Sequence, residues 1–235
     1  MSHPDIKERF NAFTDETYAR QYKADSVYKL LEDYLDLYVK DGDIVIEGIP
    51  FFVHSFMTSY CFEPSAMAES AKEVCAKLPV KATGIKQDEP GERPYHVHRL
   101  AAHEMDKVNP PLCDVLVANR MLHEWRLYEL NQGMEFDVSA KILGICMKHL
   151  KPGGIFIVGD FMYQYGIPED LLKKEMEDLR VRLGHTHPPS EYVTAGQIRE
   201  AVKYGSGMQE LKTTVLSLVE TDTHRQYWMV SACRV

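Results

Sequence analysis

His123 is the residue whose type and position point most directly to chemistry. It follows the apolar run from Val115 to Ala118, which has the composition of a buried strand. A histidine just past such a strand can act as a general base on a substrate hydroxyl or amine, because its unperturbed pKa of ~6.5 suits proton transfer at neutral pH. The carboxylate of Glu124 could orient the ring. The alternative interpretation is a histidine that begins a helix and bonds to the backbone.

Aromatic residues are spaced so that they could line a pocket beside His123. We predict substrate contacts for Tyr18, Tyr22, Trp125, Phe161, Tyr163 and Tyr192, and Tyr165 lies nearby in the sequence. Ligand pockets are commonly lined by aromatic side chains with a few polar groups among them. For the two N-terminal tyrosines, ordinary packing of a helical cap is an equally good interpretation.

Five histidines invite a metal interpretation but have no recognised ligand spacing. They are His96, His98, His103, His185 and His187. Within each of the two x-His-x-His pairs, alternation on an extended backbone would place both rings on one face. Because no cysteine or carboxylate completes a known zinc pattern, a polar loop and an edge strand are the favoured interpretation, and we predict no metal.

The elements that must position these residues centre on a strand, a helix, a glycine turn and a second strand. The strands are Val115 to Ala118 and Ile155 to Val158, and the helix between them spans 138–150. Two buried apolar strands joined by a helix belong to a parallel sheet, in which ligands bind beyond the carboxyl ends of the strands. This predicts a site formed by 119–125 and 159–163. The Pro-Gly-Gly turn before the second strand should need a positive φ, which we expect at Gly154.

Similar patterns predict the other elements of an α/β fold. Strands are expected near 43–47, 60–63, 95–100, 114–118, 154–159, 211–219 and 226–234, the last two forming an antiparallel hairpin. Helices are expected near 26–39, 51–57, 65–78, 138–150, 168–183 and 194–203, the last with Thr194 as its N-cap. We therefore predict one domain over 1–235 with a helical N-terminal cap over 1–24.

Composition and charge exclude several classes of protein. The 235 residues are 45% hydrophobic and 26% charged, which is ordinary for a globular domain. A formal net charge of −8 disfavours nucleic acid or an anionic membrane as the main partner. The sequence has no apolar run that could span a bilayer and no signal peptide at its start, and its five cysteines are scattered. We expect reduced thiols and a cytoplasmic location, with a homodimer or a partner protein left open.

The order of these motifs resembles the class I S-adenosylmethionine-dependent methyltransferases over about 18–235. The resemblance is carried by Asp114-Val-Leu-Val-Ala-Asn119 with Leu122-His123, by Leu150-Lys-Pro-Gly-Gly154 before a strand, and by 194–201. It implies a Rossmann-like, mostly parallel sheet of seven strands with a C-terminal antiparallel hairpin. It also implies S-adenosyl-L-methionine as the cofactor and a small molecule as the methyl acceptor.

The resemblance also implies roles for residues at the strand ends. Glu47 would hold the amino-acid end of the cofactor and Glu63 its ribose hydroxyls, while Ala102, His103 and Asn119 would lie beside the adenine. The full set of implied cofactor contacts is Glu47, Gly48, Ile49, Pro50, Glu63, Pro64, Ala102, His103, Asn119 and Arg120.

The sequence departs from the family at the cofactor motifs. The loop after strand one normally carries several glycines, which let the backbone approach the ligand closely. Here Gly48 stands alone, and Pro50, Phe51 and Phe52 fill the loop. The acid that often follows strand three is replaced by Ala102.

Three functions remain open from the sequence. The first is methyl transfer to an oxygen, nitrogen or carbon of a small molecule, with His123 taking any proton that leaves. The second is a non-catalytic binding or partner subunit in which the methyltransferase fold is kept and the cofactor site has decayed. The third is a different reaction in an atypical pocket.

Overall fold

A computed structural model describes the chain at residues 26–40, 42–47, 58–62, 95–98, 107–120, 122–131, 133–183, 188–205, 207–217 and 224–235. The strands are β1 (Ile44–Glu47), β2 (Thr58–Phe62), β3 (Tyr95–His98), β4 (Cys113–Asn119), β5 (Leu150–Tyr163), β6 (Met208–Ser217) and β7 (Arg225–Arg234). The helices are α1 (Ser26–Tyr38), α2 (Leu122–Asn131), α3 (Val138–His149), α4 (Glu169–Leu183) and α5 (Ala195–Tyr204), with a 3-10 turn at Pro189–Glu191.

The strands form one mixed sheet in the order β3-β2-β1-β4-β5-β7-β6. Strands β1 to β5 pair in parallel, whereas β7 runs antiparallel between β5 and β6. The predicted α/β, Rossmann-like class is confirmed, as is the antiparallel C-terminal hairpin. The predicted cap over 1–24 and the predicted helices near 51–57 and 65–78 lie outside the described residues.

Alternate residues of the central strands enter two separate cores. On one face, Val115, Val117 and Ile157 pack with α1 through Leu31 and Tyr34. The core on the other face is larger and packs against α3 and α5. Its strand residues include Leu116, Phe156, Val158, Trp228 and Val230. Because both faces of β4 and β5 are covered, these strands are continuous apolar runs, as expected for a buried parallel sheet.

Local capping chemistry places two of the covering helices. Asp137 caps α3 by accepting a hydrogen bond from the Ala140 N–H at 3.1 Å. The Thr194 side chain caps α5 by accepting from the Gln197 N–H. The Gln197 side chain accepts from the Thr194 N–H, so the two residues form a capping box. Helix α2 was missing from the sequence-based prediction, because its residues have no strong apolar periodicity.

The Pro-Gly-Gly turn is a bulge at the start of β5 rather than a loop before it. In the β4–β5 register Cys113 pairs with Leu150 and Val115 pairs with Ile155, so residues 151–154 face Asp114 alone. The positive φ lies at Gly153, at +78°, and the expectation for Gly154 was wrong. Gly154 is restricted differently, because a Cβ there would lie 2.9 Å from the Lys151 carbonyl oxygen and 3.0 Å from that of Asp114.

Candidate functional site

The strand order reverses between β1 and β4, and this reversal marks the expected ligand crevice. Strands β2 and β3 lie to one side of β1, while β5 lies on the far side of β4. In open α/β sheets, ligands bind beyond the carboxyl ends of the strands at such a switch point. Glu47 ends β1 and Asn119 ends β4, so the backbone brings these two predicted cofactor residues to the crevice.

Asn119 is held by a hydrogen bond from the neighbouring sheet. The buried Tyr227 hydroxyl donates to Asn119 Oδ1. This contact requires glycine at position 159, because a Cβ there would lie 2.2 Å from the Tyr227 hydroxyl oxygen. Since Oδ1 is engaged by Tyr227, the Asn119 side chain can serve a ligand through its amide nitrogen.

Arg120 begins the turn that follows β4 in a strained conformation. Its φ is +55°, in the left-handed region that residues other than glycine rarely adopt. The Arg120 N–H donates to the Gly159 carbonyl at 2.8 Å, which ties the turn to β5. The guanidinium lies over the Phe161 ring, 4.7 Å from its centroid. It therefore brings a positive charge to the carboxyl ends of β4 and β5, which we call the rim of the site.

His123 and Asp160 form a buried dyad at the centre of the rim. The His123 Nδ1 atom lies 2.6 Å from Asp160 Oδ1, and the His123 backbone N–H donates to Asp160 Oδ2 at 3.0 Å. Asp160 Oδ1 also accepts from the Phe161 N–H at 2.8 Å. Asp160 is fully buried and His123 is 7% exposed. One carboxylate therefore caps the start of α2 and fixes the orientation of the histidine ring.

This geometry selects the histidine tautomer that a base needs. When Nδ1–H donates to a carboxylate, the lone pair of the neutral ring is placed on Nε2. The carboxylate also stabilises the imidazolium that forms when Nε2 takes a proton. A His-carboxylate pair of this kind can remove a proton from a substrate hydroxyl or amine.

Sequence reasoning missed Asp160 and named Glu124 as the carboxylate that could orient the His123 ring. The side chain of Glu124 is not among those described, and Asp160 is the carboxylate on His123 Nδ1. Asp160 lies 37 residues further along the chain, within the 159–163 segment predicted to border the site. The available signal was an acid near the carboxyl end of the strand next to β4.

Two predicted substrate residues, Tyr163 and Tyr192, form an aromatic wall beside His123. The Tyr192 ring centroid is 5.5 Å from that of His123, and the Tyr163 ring meets Tyr192 edge-on at 5.4 Å. Burial raises the pKa of Tyr163 to about 12, and burial also raises the pKa of Tyr192. Both phenols therefore stay neutral hydrogen-bonding groups at physiological pH.

Two other predicted substrate residues lie in different surroundings. Phe161 packs edge-on against Tyr227 at 5.4 Å and has the Arg120 guanidinium over its ring, so it lies with the core cluster that contains Tyr227. Trp125 is buried in the core and meets Phe136 edge-on at 5.6 Å. Its indole N–H donates to Glu129 at 3.1 Å, and these contacts place Trp125 in the packing between α2 and α3.

The remaining predicted site residues have no described side chain. For Glu47 in β1 and Glu124 in α2, the structure describes the backbone but not the side chain. Gly48, Ile49, Pro50, Glu63, Pro64, Ala102, His103, Tyr18 and Tyr22 lie outside the described residues. Their roles stay predictions.

Two kinds of feature are absent from the described part of the chain. No group of three or more His, Cys, Asp or Glu side chains there is arranged to hold a metal ion. None of the helices described is both long enough and apolar enough to cross a membrane.

Comparison with solved structures identifies the fold. The cyclopropane synthase MmaA2 from Mycobacterium tuberculosis is similar with a TM-score of 0.61 at 10% identity, over 98% of this chain and 99% of that one. A SAM-dependent methyltransferase from Aquifex aeolicus is similar with a TM-score of 0.55 at 15% identity, over 95% of this chain and 100% of that one. The N-methyltransferase NodS from Bradyrhizobium japonicum is similar with a TM-score of 0.52 at 10% identity, over 94% of this chain and 97% of that one.

These likenesses show that the chain has the class I S-adenosylmethionine-dependent methyltransferase fold. No protein-family model matches the sequence, and no curated protein matches it. At identities this low the likeness defines the fold and leaves the acceptor unassigned.

Proposed function

We propose that this protein transfers a methyl group from S-adenosyl-L-methionine to a small molecule whose accepting atom loses a proton. The observation that carries the proposal is the buried His123–Asp160 dyad at the carboxyl rim of a methyltransferase fold. A general base next to the crevice serves a reaction in which a proton must leave, which favours a hydroxyl or amine acceptor over one without a removable proton.

The described part of the crevice fits the proposed cofactor. The Asn119 amide stands at the end of β4, beside the end of β1, where the adenosyl group would lie. Glu47 and Glu63 end neighbouring strands in the sequence, and carboxylates there can accept hydrogen bonds from amino and ribose hydroxyl groups. When bound, the sulfonium supplies an activated methyl group. Accordingly, the residues of the chain have to orient the acceptor and take its proton.

His123 would take that proton on Nε2 while Asp160 holds the ring and balances the positive charge. Tyr163 and Tyr192 would contact the acceptor, since their rings border His123 and their phenols stay neutral. Mutation of a positioned general base typically slows a reaction by about 10²–10⁴-fold.

The first test is calorimetric titration of the protein with S-adenosylhomocysteine. Saturable binding with one site per chain is the expected result. Absence of binding would overturn the methyltransferase proposal.

A second test addresses the ribose contact proposed for Glu63. Glu63→Gln should weaken S-adenosylhomocysteine binding at least about tenfold, because two charge-assisted acceptor bonds are lost. The melting temperature should hardly change. Equal affinity in the variant would refute the ribose contact. The alternative role of Glu63 is a helix cap, worth up to about 1 kcal/mol through the helix dipole.

A second candidate function is a non-catalytic partner subunit. Its support is the loop after β1, where Pro50, Phe51 and Phe52 stand in place of the usual glycines. Under this proposal the protein binds no nucleoside. The same calorimetric titration therefore separates the two candidates.

A further inference from the structure

Helix α4 is attached to the rim of the site by a charged residue. Among the side chains of α4 that the structure describes, Glu175 is buried and every other one is partly or largely exposed. Glu175 Oε2 accepts a hydrogen bond from the His224 N–H at 2.8 Å, immediately before β7. Among the described side chains of α4, the Glu175 carboxylate is therefore the buried group that holds the helix in position.

Arg225 is the counter-charge of Glu175. Its Nε atom lies 3.5 Å from Glu175 Oε1, with both side chains largely buried, at 14% and 6% exposure. The alignment is not that of a hydrogen bond, so the contact is an ion pair. Removing one partner of a buried pair leaves an uncompensated charge, which is far more destabilising than losing an exposed pair.

Arg225 also lies beside Phe161 and influences Tyr192 of the aromatic wall. Burial raises the pKa of the Tyr192 phenol and the nearby positive charge of Arg225 partly offsets this, while the Arg225 guanidinium lies 5.1 Å from the centroid of Phe161. Tyr192 in turn lies against His123. An ion pair, an electrostatic interaction and a ring contact therefore link α4 to the proposed base through Glu175, Arg225 and Tyr192.

We propose that Glu175 and Arg225 are positioning residues, which fix α4 on the rim and hold Tyr192 against His123. Their effect on the acceptor rests on the proposed function, whereas the docking of α4 does not. Replacing the Glu175 carboxylate by an amide would weaken the attachment of α4 and shift the Tyr192 ring. Neither Glu175 nor Arg225 would touch the reacting atoms.

The test compares Glu175→Gln with Glu177→Gln in the full chain. Glu177 forms an exposed ion pair with Arg180 on the same helix, which makes it a matched control. Trypsin can cut α4 at Lys173, Lys174, Arg180 and Arg182 once the helix detaches. The rate of cleavage at these sites should be at least roughly tenfold higher in Glu175→Gln than in wild type. In Glu177→Gln the rate should stay within about twofold of wild type.

A second readout separates local detachment from general unfolding. Cuts at Arg199 and Lys203 in α5 should not accelerate in Glu175→Gln. The carbon-bound ring protons of His123, assigned by their loss in His123→Gln, should change chemical shift in Glu175→Gln and in Arg225→Lys, because Tyr192 moves relative to the ring. In Glu177→Gln they should keep their wild-type shift.

Unchanged cutting of α4 in Glu175→Gln, acceleration equal to that in α5, or unchanged His123 shifts would each overturn the proposal. Calorimetry with S-adenosylhomocysteine on the same wild-type sample keeps the two proposals distinguishable. Failure of the wild type to bind would overturn the proposed function, while the proteolysis and the shifts would still decide the role of the pair.

Discussion

At the scale of single residues, the buried dyad gives Asp160 two tasks. Its carboxylate accepts hydrogen bonds from two backbone N–H groups and from the His123 ring. An ionised carboxylate with three such donors is strongly stabilised in place. The side chain therefore contributes to folding as well as to the proposed chemistry, and a test has to separate these contributions.

Asp160→Asn should destabilise the protein by about 2–4 kcal/mol, because charge-assisted bonds become neutral ones. It should also lower methyl transfer about 10²–10⁴-fold, because the amide no longer balances an imidazolium. Nitrogen NMR of the His123 ring should show weaker preference for the tautomer protonated on Nδ1. Asp114→Asn, near the amino end of β4 and so at the opposite ends of the strands from the site, serves as the control. It should destabilise the protein and leave the His123 ring signals unchanged.

Gly159 matters through the space it leaves for Tyr227. Gly159→Ala should destabilise by about 1–3 kcal/mol, because its Cβ would displace the tyrosine hydroxyl that holds Asn119. The penalty should be smaller in a Tyr227→Phe background, as a double-mutant cycle of denaturant unfolding would reveal. Gly144→Ala, in the open face of α3, should be neutral or stabilising. Equal penalties in both backgrounds would refute the steric explanation.

At the scale of elements, the bulge at the start of β5 uses its two glycines for different reasons. Gly153 has a left-handed φ with open space around it, whereas Gly154 is pressed against two carbonyl oxygens. Lys151 supports the bulge by binding the Asp114 carboxylate at 2.7 Å, and Asp114 accepts from the Ile44 N–H at 2.9 Å. The bulge is thereby linked to the amino ends of β1 and β4.

The two glycines should respond differently to asparagine. Gly153→Ala should destabilise by about 1–2 kcal/mol, and Gly153→Asn by less, because asparagine tolerates the left-handed region. At Gly154 alanine and asparagine should both destabilise by about 1–3 kcal/mol, because any Cβ collides. Thermal unfolding of the four variants measures this. A rescue by asparagine at Gly154 would contradict the steric account.

At the scale of the whole molecule, two buried thiols link global stability to alkaline pH. Burial raises the pKa of Cys113 from 9.0 to about 12, and burial raises that of Cys146 as well. The folded state therefore keeps these protons at pH values where the unfolded chain loses them. Stability is fully present below about pH 9 and falls as the pH rises towards 12, since the unfolded state then binds fewer protons.

Cys113→Ala should remove part of this alkaline slope. Each thiol contributes at most about 1.4 kcal/mol per pH unit between its two pKa values. Urea unfolding at pH 8, 9 and 10 measures the slope, and Cys233→Ala, which removes a partly exposed thiol, is the control. An identical slope in wild type and Cys113→Ala would show that the thiol does not carry the effect.

The sequence by itself determined the fold class and the edge of the sheet that carries the site. Apolar runs such as Val115 to Ala118, periodic helices and the Thr194 cap are local signals, because each depends on residues close together in the chain. The position of His123 just after β4 followed from the same signals. Local signals therefore suffice to place residues at strand ends.

Tertiary structure alone decided which groups meet at that edge. Asp160 reaches His123 from 37 residues away, Tyr227 reaches Asn119 from 108, and Arg225 joins Glu175 across 50 residues. The first pairing depends on β5 lying beside β4, and the other two depend on β7 lying beside β5. No local pattern encodes this strand order. The nearest carboxylate in the sequence, Glu124, was therefore assigned to His123, whereas register and strand order placed Asp160 on the ring.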